Sequence, residues 1–263
     1  SEVVQGLKDM GYDWATPVQA ATIDAALAGR DMVVRAKTGT GKTAAFAIPA
    51  IDRIEDGSRV ATMLVLAPTR ELAQQITREC DSIAKHRDLL SATLVGGLPI
   101  GAQEKQLAKG PELIIGTPGR VKDHIKRRNL DLSSCSIVVL DEADEMLSMG
   151  FYHDVTEIMD KCGKQPQVLL FSATVSTDTE RLVARYLKDP EEVFMSTDFD
   201  QVDTIGHVLY ETSPEVHKAR SLLYLLDIEN PSSALIFCNT REDVSTVATF
   251  LDRQGQDVQM LSG

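Results

Sequence analysis

Two glycines and a Lys-Thr pair separate an apolar run from an alanine-rich stretch in the segment MVVRAKTGTGKTAAF, which begins at Met32. Gly39 and Gly41 allow a tight turn that leads into a predicted helix. The backbone N–H groups of such a loop and the positive end of the helix together form an anion site. In this arrangement Lys42 reaches the β and γ phosphates of a nucleotide, and the Thr43 hydroxyl takes a coordination position of Mg²⁺. The pattern predicts a phosphate-binding loop.

The alternative is a glycine-rich turn beside a surface lysine. It is disfavoured because the strand, the two glycines, the Lys-Thr pair and the helix occur in register, although Ala36 stands where the strict motif has glycine. Nucleotide binding is therefore the preferred interpretation.

An acidic quartet, Asp141 to Asp144, directly follows the apolar run SIVVL. A carboxylate at the end of a strand beside a phosphate loop can hold Mg²⁺ through water, and its neighbour can orient or deprotonate an attacking water. Asp141 suits the first role and Glu142 the second. The alternative is a helix N-terminus rich in acids that complement the macrodipole. The phosphate loop upstream favours the functional interpretation.

Short apolar runs alternate with helical stretches through the first two thirds of the chain. The runs are rich in Val, Ile and Leu with little alternation, as is typical of parallel strands buried on both faces. This order predicts an α/β doubly wound parallel sheet, in which ligands bind at the carboxyl ends of the strands. The runs lie at 33–34, 63–66, 94–95, 113–115, 137–140 and 168–171, with one last strand at 192–195.

Composition narrows the class of protein. The chain has 263 residues, 43% hydrophobic and 25% charged, and its sequence contains no apolar run of membrane-spanning length and no signal peptide. Four widely spaced cysteines form no C-x-x-C pair, which argues against zinc and disulfides and favours a cytoplasmic location. The histidines form no metal-binding cluster.

The net charge of −12 opposes binding to a polyanion. One segment, TPGRVKDHIKRRNL from Thr117 to Leu130, is nevertheless basic. Charge runs of this kind are commonly solvated helix faces, so the segment alone leaves nucleic-acid binding undecided. Its basic residues are Arg120, Lys122, Lys126, Arg127 and Arg128, against Asp123 alone.

The periodic pattern is interrupted before a second unit begins. Residues 1–197 are predicted to form the first domain, 198–206 an acidic linker, and 207–263 the N-terminal part of a truncated second domain. Strands are expected at 207–210, 234–238 and 258–261, with helices at 216–226 and 242–254. Near the start, the segment GYDWATPVQ by itself suggests a connection between two helices, with Tyr12 and Trp14 packing and Gln19 solvated.

Seven motifs occur in order: GYDWATPVQ, AKTGTGKT, APTRELAQQ, GG at Gly96-Gly97, TPGR, DEAD and SAT, with an eighth, LIFCNT, in the second unit. Together they resemble the DEAD-box family of ATP-dependent RNA helicases in helicase superfamily two, across essentially the whole chain. The resemblance implies two RecA-like domains of the P-loop NTPase class. It also replaces the packing interpretation of GYDWATPVQ, because in the family the aromatic stacks on adenine and the glutamine binds the adenine edge. Tyr12 and Gln19 are then base contacts.

The resemblance implies the remaining roles. The triphosphate is bound by Ala36, Lys37, Thr38, Gly39, Thr40, Gly41, Lys42 and Thr43. Thr43 and Asp141 serve Mg²⁺. The catalytic set is Lys42, Asp141, Glu142, Ser172 and Thr174, the last two coupling hydrolysis to strand separation through contacts with the DEAD quartet. The RNA sugar-phosphate backbone is held, without regard to base sequence, by Pro68, Thr69, Arg70, Gly97, Thr117, Pro118, Gly119 and Arg120.

The implied function is an ATP-dependent RNA helicase of the ATP phosphohydrolase class that separates RNA strands or remodels RNA–protein complexes. ATP and Mg²⁺ are its cofactors; RNA, and accessory proteins, are its partners; it is a monomer with no membrane association. The family's arginine-finger motif is not found before Gly263, so we expect this chain to bind ATP but to hydrolyse it poorly. Two alternatives stay open: an ATP-dependent RNA clamp without unwinding activity, and a DNA helicase of the same superfamily.

Overall fold

The computed structural model describes residues 1–37, 39–174, 176–195, 206, 208–212 and 218–261. The chain divides into two compact units, Ser1–Asp200 and Gln201–Gly263, and each is described by itself. All of the predicted site residues belong to the first unit. Among them, Thr38 lies outside the described residues, as does most of the predicted linker.

The first unit is built on a parallel sheet. In chain order its strands are β1 (Met32–Arg35), β2 (Met63–Leu66), β3 (Ser91–Leu94), β4 (Leu113–Gly116), β5 (Ile137–Leu140), β6 (Gln167–Ser172) and β7 (Glu191–Phe194). Within the described residues they form one seven-stranded sheet in the order β3-β4-β2-β5-β6-β1-β7. Every neighbouring pair is parallel, so the predicted fold class is confirmed.

Helices connect the strands and cover both faces of the sheet. Two helices precede β1, two lie between β5 and β6, and single helices fill the other connections. They are α1 (Glu2–Asp9), α2 (Pro17–Leu27), α3 (Lys42–Arg53), α4 (Arg70–Ile83), α5 (Ile100–Leu107), α6 (Pro118–Lys126), α7 (Ala143–Ser148), α8 (Tyr152–Met159) and α9 (Thr177–Tyr186). This is the doubly wound arrangement.

Side chains alternate along each strand and divide the core into two layers. Val34 and Phe171 face the layer covered by α1 to α4, while Val33 and Leu170 face the layer covered by α5 to α9. In the first layer the rings of Phe46 and Phe171 meet edge to face, with centroids 5.4 Å apart. Because β2, β4 and β5 are buried on both faces, they read as continuous apolar runs in the sequence, whereas the edge strands β3 and β7 do not.

The second unit contains two described helices, α10 (Lys218–Glu229) and α11 (Arg241–Arg253). The three predicted strands are not observed where they are described: residues 208–210, 234–238 and 258–261 have no strand assignment. A strand requires a hydrogen-bonded neighbour, and the described residues provide none; Phe237, for example, is 87% exposed. His207 lies outside the described residues. No helix of the described part of either unit has the length and apolar character that crossing a membrane requires.

Candidate functional site

The predicted site residues meet at one edge of the sheet. Parallel strands end at the same edge, so the loops that leave β1, β2, β4, β5 and β6 lie side by side. These loops begin at Ala36, Ala67, Thr117, Asp141 and Ala173. The phosphate loop, the acidic quartet and the TPGR and SAT motifs are therefore neighbours through the topology of the sheet alone.

The phosphate loop requires its glycines for conformation. Gly39 has φ +83° and Gly41 has φ +91°, a region that side chains with a Cβ rarely adopt. Gly41 also caps α3, and a Cβ at this position would lie 2.6 Å from Nε2 of Gln19. The hydroxyl of Thr40 donates to the carbonyl of Lys37 at 2.8 Å and closes the turn. The predicted strand–loop–helix unit is present.

Lys42 is the strongest indication of a ligand. Its residue is only 6% exposed, and Nζ has no hydrogen-bond partner in the described part of the chain. A buried ammonium without a partner costs free energy, and an anion at the loop would remove that cost. The residues present therefore fit a bound phosphate group.

Asp141 is buried beside this lysine, at 2% exposure. Burial raises the pKa of Asp141 to about 6, Lys42 acts in the opposite direction, and the Glu142 charge raises the pKa further. A second positive charge at this point would stabilise the carboxylate. The acidic side chain and the Thr43 hydroxyl thus suit a divalent cation in addition to the phosphate.

Glu142 stands in a left-handed backbone conformation, with φ 49° and ψ 51°, at the N-cap of α7. Its backbone N–H donates to Oδ1 of Asp141 at 3.0 Å. A residue with a Cβ in this region is strained, and strain of this kind clusters at functional sites. Four other described non-glycine residues also have positive φ, so it is the neighbouring buried Asp141 and Lys42 that distinguish the quartet from an acidic helix start.

The SAT loop contacts the acidic quartet. Both the backbone N–H and the hydroxyl of Thr174 donate to Oδ2 of Asp144, each at 2.8 Å. Burial opposes ionisation of Asp144, but these hydrogen bonds prevail and hold its pKa below the ordinary value. The hydroxyl of Ser172 donates to the carbonyl of Thr174 at 2.6 Å. The predicted contact between the two motifs is confirmed, while the coupling role stays a prediction.

The segment GYDWATPVQ by itself suggests a solvated Gln19, but the structure shows this side chain to be buried. It is 2% exposed; its Oε1 accepts from the Thr16 N–H at 2.9 Å, and its Nε2 donates to the carbonyl of Gly41 at 3.2 Å. The side chain therefore completes the capping box of α2 and ties that helix to the phosphate loop. Each amide atom retains one further hydrogen-bond position, so its adenine contact stays a prediction.

The two aromatic residues of this segment differ in environment. Tyr12 is half-buried against the core layer of α1 to α4, and its hydroxyl donates to Oε1 of Glu79 at 3.2 Å. Trp14 is 90% exposed, so its interpretation as a packing residue is wrong. The sequence of this segment has no periodicity from which a half-buried Tyr12 and an exposed Trp14 could be predicted.

The predicted RNA contacts form a row of neighbouring loops. Arg70 begins α4, and a Cβ at Gly97 would lie 3.4 Å from its guanidinium. Nη1 of Arg120 donates to the carbonyl of Leu98 at 3.1 Å, which joins the TPGR motif to the Gly96-Gly97 loop. Arg70, Gly97 and Gly119 are exposed, with Thr69, Thr117 and Arg120 partly so. Pro68 and Pro118 are buried, so they pack beneath these loops and are not accessible for direct contact with RNA.

The basic segment beyond TPGR is less positive than its sequence suggests. Lys122 is ion-paired with Asp154 and with Glu157, and Arg127 with Asp123. Asp154 and Glu157 lie on α8, outside the segment, so the charges of the segment's own residues do not include them. The segment's own charge is thus partly neutralised.

Glu79 is a residue of this site that the motifs do not reveal. It lies on α4 beside the buried stripe, next to Cys80 and one turn after Ile76, and is itself half-buried. A carboxylate beside a buried stripe requires hydrogen-bond donors. The position of Glu79 in the helix pattern is the one sequence feature that could have indicated its role.

Comparisons with known proteins identify the family of this chain. A family model described as DEAD/DEAH box helicase matches residues 16–182. The DEAD-box ATP-dependent RNA helicase CshA of Bacillus licheniformis is 40% identical over 263 residues, which is 100% of this chain and 54% of that protein. The ATP-dependent RNA helicase DeaD of Klebsiella pneumoniae is 40% identical over 262 residues, 99% of this chain and 41% of that protein. The chain spans about half the length of the curated relatives it matches.

A solved structure shares both fold and sequence. The DEAD box protein from the hyperthermophile Methanococcus jannaschii superposes with a TM-score of 0.72 at 32% identity, covering 97% of this chain and 68% of that one. The family model covers more than half of the chain, from the segment after Tyr12 to α9. The chain therefore belongs to the DEAD/DEAH box helicase family.

Proposed function

We propose that the protein is an ATP-dependent RNA helicase, of the ATP phosphohydrolase class, in which this chain supplies the ATP site and part of the RNA track. The observation that carries the proposal is the buried Lys42 ammonium, which has no partner in the described part of the chain and lies beside buried Asp141. An anion accompanied by a divalent cation satisfies both groups. The relatives CshA and DeaD, which are ATP-dependent RNA helicases, support the same activity.

The nucleotide is held from two sides. Lys42 and the N-terminus of α3 receive the phosphates, and Tyr12 and Gln19 receive the adenine. Thr43 and Asp141 would hold Mg²⁺, which when bound neutralises phosphate charge. Thr43 follows Lys42 directly at the start of α3, so phosphate and cation ligands are adjacent. The support for adenine is the position of Gln19 against the loop carbonyl of Gly41.

Glu142 is proposed to orient the attacking water and to accept its proton. Glu142 directly follows Asp141, and its strained left-handed backbone stands at the N-cap of α7, outside the regular helix. The neighbouring Asp144 is engaged by Thr174 and is therefore assigned to positioning the SAT loop instead. Glu142 and Asp144 are thus assigned different tasks.

RNA is proposed to lie along the loops that carry Arg70, Gly97, Gly119 and Arg120. Exposed backbone N–H groups and guanidinium groups bind phosphates and sugars without reading bases. ATP hydrolysis is coupled to RNA through Thr174, whose loop contacts the quartet. Because Asp144 and Glu142 are two residues apart, a change at the hydrolysis site reaches the SAT loop over a short path.

The test is ATP hydrolysis by the full-length protein with single-stranded RNA, single-stranded DNA of the same sequence, or neither. We expect stimulation by RNA alone, and loss of hydrolysis with retained nucleotide binding in Glu142→Gln. Equal stimulation by DNA would overturn the substrate, and full activity in Glu142→Gln would remove that residue from the mechanism. ATP-dependent RNA binding without separation of a short duplex would instead indicate an RNA clamp.

Further parts of the proposal concern organisation. Residues 1–197 form the RecA-like ATP-binding domain, 198–206 a linker, and 207–263 belong to a second RecA-like domain. We propose a cytoplasmic monomer that acts with accessory proteins. In support of a reducing compartment, Cys80, Cys135, Cys162 and Cys238 are all free thiols.

A further inference from the structure

Glu79 connects two parts of the candidate nucleotide site that are far apart in sequence. Oε1 of Glu79 accepts the hydroxyl proton of Tyr12 at 3.2 Å, and the hydroxyl of Thr43 is the second polar neighbour of the same carboxylate. Tyr12 is the predicted adenine aromatic, and Thr43 is the predicted cation ligand. None of the roles assigned above includes Glu79.

The environment of Glu79 makes these two hydroxyls important. The residue is half-buried on α4, and burial raises its pKa, while the hydrogen bonds from Tyr12 and Thr43 lower it. A carboxylate withdrawn from water loses free energy unless donors replace the water. The Tyr12 hydroxyl proton is directed at Glu79, and the Thr43 hydroxyl is the second donor available to the same carboxylate.

The loop that carries Tyr12 is also anchored on α4. Gly6 of α1 lies so close to the end of α4 that a Cβ there would stand 2.3 Å from the carbonyl oxygen of Ile83. Beyond α4, Nζ of Lys85 pairs with Asp9 at 2.7 Å. Because α1 is held in this way, Tyr12 enters the site from a fixed position, with its hydroxyl directed at Glu79.

We propose that Glu79 is a positioning residue that orients the Tyr12 ring and the Thr43 hydroxyl together, so that binding of the base and binding of the metal–phosphate end of the nucleotide are coupled. The inference rests on the proposed nucleotide site. Without the carboxylate both side chains regain rotational freedom, and nucleotide binding must then supply the free energy to order them.

The experiment measures the affinity of the 263-residue chain for ADP and for GDP, with and without Mg²⁺, by calorimetry. Glu79→Ala is expected to weaken Mg²⁺–ADP binding by about three- to tenfold, the magnitude of one or two lost hydrogen bonds. Glu79→Gln, whose amide can still accept from Tyr12, is expected to restore most of the affinity. Arg78→Ala, an exposed neighbour on the same helix, serves as control and is expected to bind as the wild type does.

Coupling is tested by a double-mutant cycle. Tyr12→Phe removes only the hydroxyl and is expected to weaken ADP binding by about twofold to fivefold in the wild-type chain, but not in the Glu79→Ala chain. Additive effects would overturn the inference. Failure of Glu79→Gln to restore affinity, with an unfolding temperature lowered as in Glu79→Ala, would indicate a purely structural role and would overturn it too.

A further variant separates this inference from the proposed function. Lys42→Met should nearly abolish ADP binding if the nucleotide site is as proposed. Loss of binding in Lys42→Met together with wild-type affinity in Glu79→Ala would overturn the role of Glu79 alone. Wild-type affinity in Lys42→Met, or no ADP binding by the wild-type chain, would overturn the nucleotide site and the role of Glu79 with it.

Discussion

Thr174 donates two hydrogen bonds to Asp144, one from its backbone N–H and one from its hydroxyl, and each is 2.8 Å long. The two residues lie 30 positions apart: Thr174 is on the loop after β6, and Asp144 is in the first turn of α7, the helix that follows β5. These strands are neighbours in the sheet, so the contact depends on strand order and not on local sequence. A single substitution can therefore remove the hydroxyl hydrogen bond of the SAT motif while the backbone hydrogen bond and the fold stay intact.

The first prediction concerns this hydroxyl. Thr174→Val keeps the shape and the backbone hydrogen bond but removes one donor to an ionised carboxylate, which is worth about 1.5–3 kcal/mol. We expect duplex unwinding by the full-length protein to fall about tenfold or more while RNA-stimulated ATP hydrolysis falls much less. Thr177→Val, at an exposed position of the first turn of α9, is the control. An equal fall in both activities would contradict the coupling role.

The second prediction concerns the two glycines of the phosphate loop. Both have positive φ, but a Cβ at Gly39 has no neighbour within 4 Å, whereas one at Gly41 would lie 2.6 Å from Nε2 of Gln19. Gly39→Ala is expected to lower the unfolding free energy by about 1 kcal/mol from backbone strain. Gly41→Ala should cost about 1 kcal/mol more, because it also displaces Gln19 from the Gly41 carbonyl. Urea unfolding of the two variants measures the difference, and equal losses would show that Gln19 adapts freely.

Much of this arrangement could be predicted from sequence because it is local. The phosphate loop needs only the order of strand, glycines, Lys-Thr and helix, and the parallel strands are indicated by runs such as IVVL of β5. The strand order could not be predicted from periodicity, since it is determined by pairing between distant segments.

The features that the sequence does not reveal have a common origin. The segment GYDWATPVQ by itself suggests a solvated Gln19, because the partner of that side chain, the carbonyl of Gly41, lies 22 residues away. The sequence of the segment after TPGR does not show how far its charge is neutralised, because Asp154, which pairs with Lys122, is on another helix. Glu79 was missed because its partner Tyr12 is 67 residues distant. Hydrogen bonds and ion pairs between distant segments depend on how helices and strands pack together. The spacing of residues in a single sequence reveals only which side chains share a face of one element.

The third prediction concerns Lys42. Lys42→Met removes a buried ammonium that has no hydrogen-bond partner in the described part of the chain. The desolvation cost of the charge disappears, while Asp141 loses an attractive neighbour, so we expect the unfolding free energy of the nucleotide-free chain to change by less than about 1 kcal/mol. Nucleotide affinity should nevertheless fall by about tenfold or more.

The matched control for Lys42 is Lys109→Met, at an exposed position after α5. It should change neither the unfolding free energy nor the affinity. Denaturant unfolding and ADP titration of both variants supply the two measurements. A large loss of stability in Lys42→Met would show that the ammonium stabilises the fold and is not held ready for a ligand.

The fourth prediction concerns pH and the support of the Gly96-Gly97 loop. His124 is fully buried on α6; its Nε2 lies 3.3 Å from Oε1 of Gln103, whose Nε2 donates to the carbonyl of Val95 at 3.0 Å. The chain of contacts thus joins the helix of the TPGR motif to the residue before Gly96. Burial lowers the pKa of His124, and the positive charge of Arg120 lowers it further.

The sign of the pH effect follows from this shift. A histidine whose pKa is lower in the folded state binds fewer protons there than in the unfolded state, so stability rises with pH through this range. The stability that depends on neutral His124 is fully present above the unfolded pKa of 6.5. It is lost as the pH falls toward the folded pKa of this histidine. Asp123 and Glu104, whose charges oppose the shift, reduce its size.

His124→Gln keeps an amide donor for Gln103 but cannot take up a proton in this range. We expect the variant to lose less stability than the wild type between pH 7 and pH 5, measured as the change in urea midpoint. His153→Gln, at an exposed position, should follow the wild-type curve. If the two variants have the same pH dependence, protonation of His124 does not limit the acid stability of this layer, and the loop's support must be sought in Arg120 and the Leu98 carbonyl.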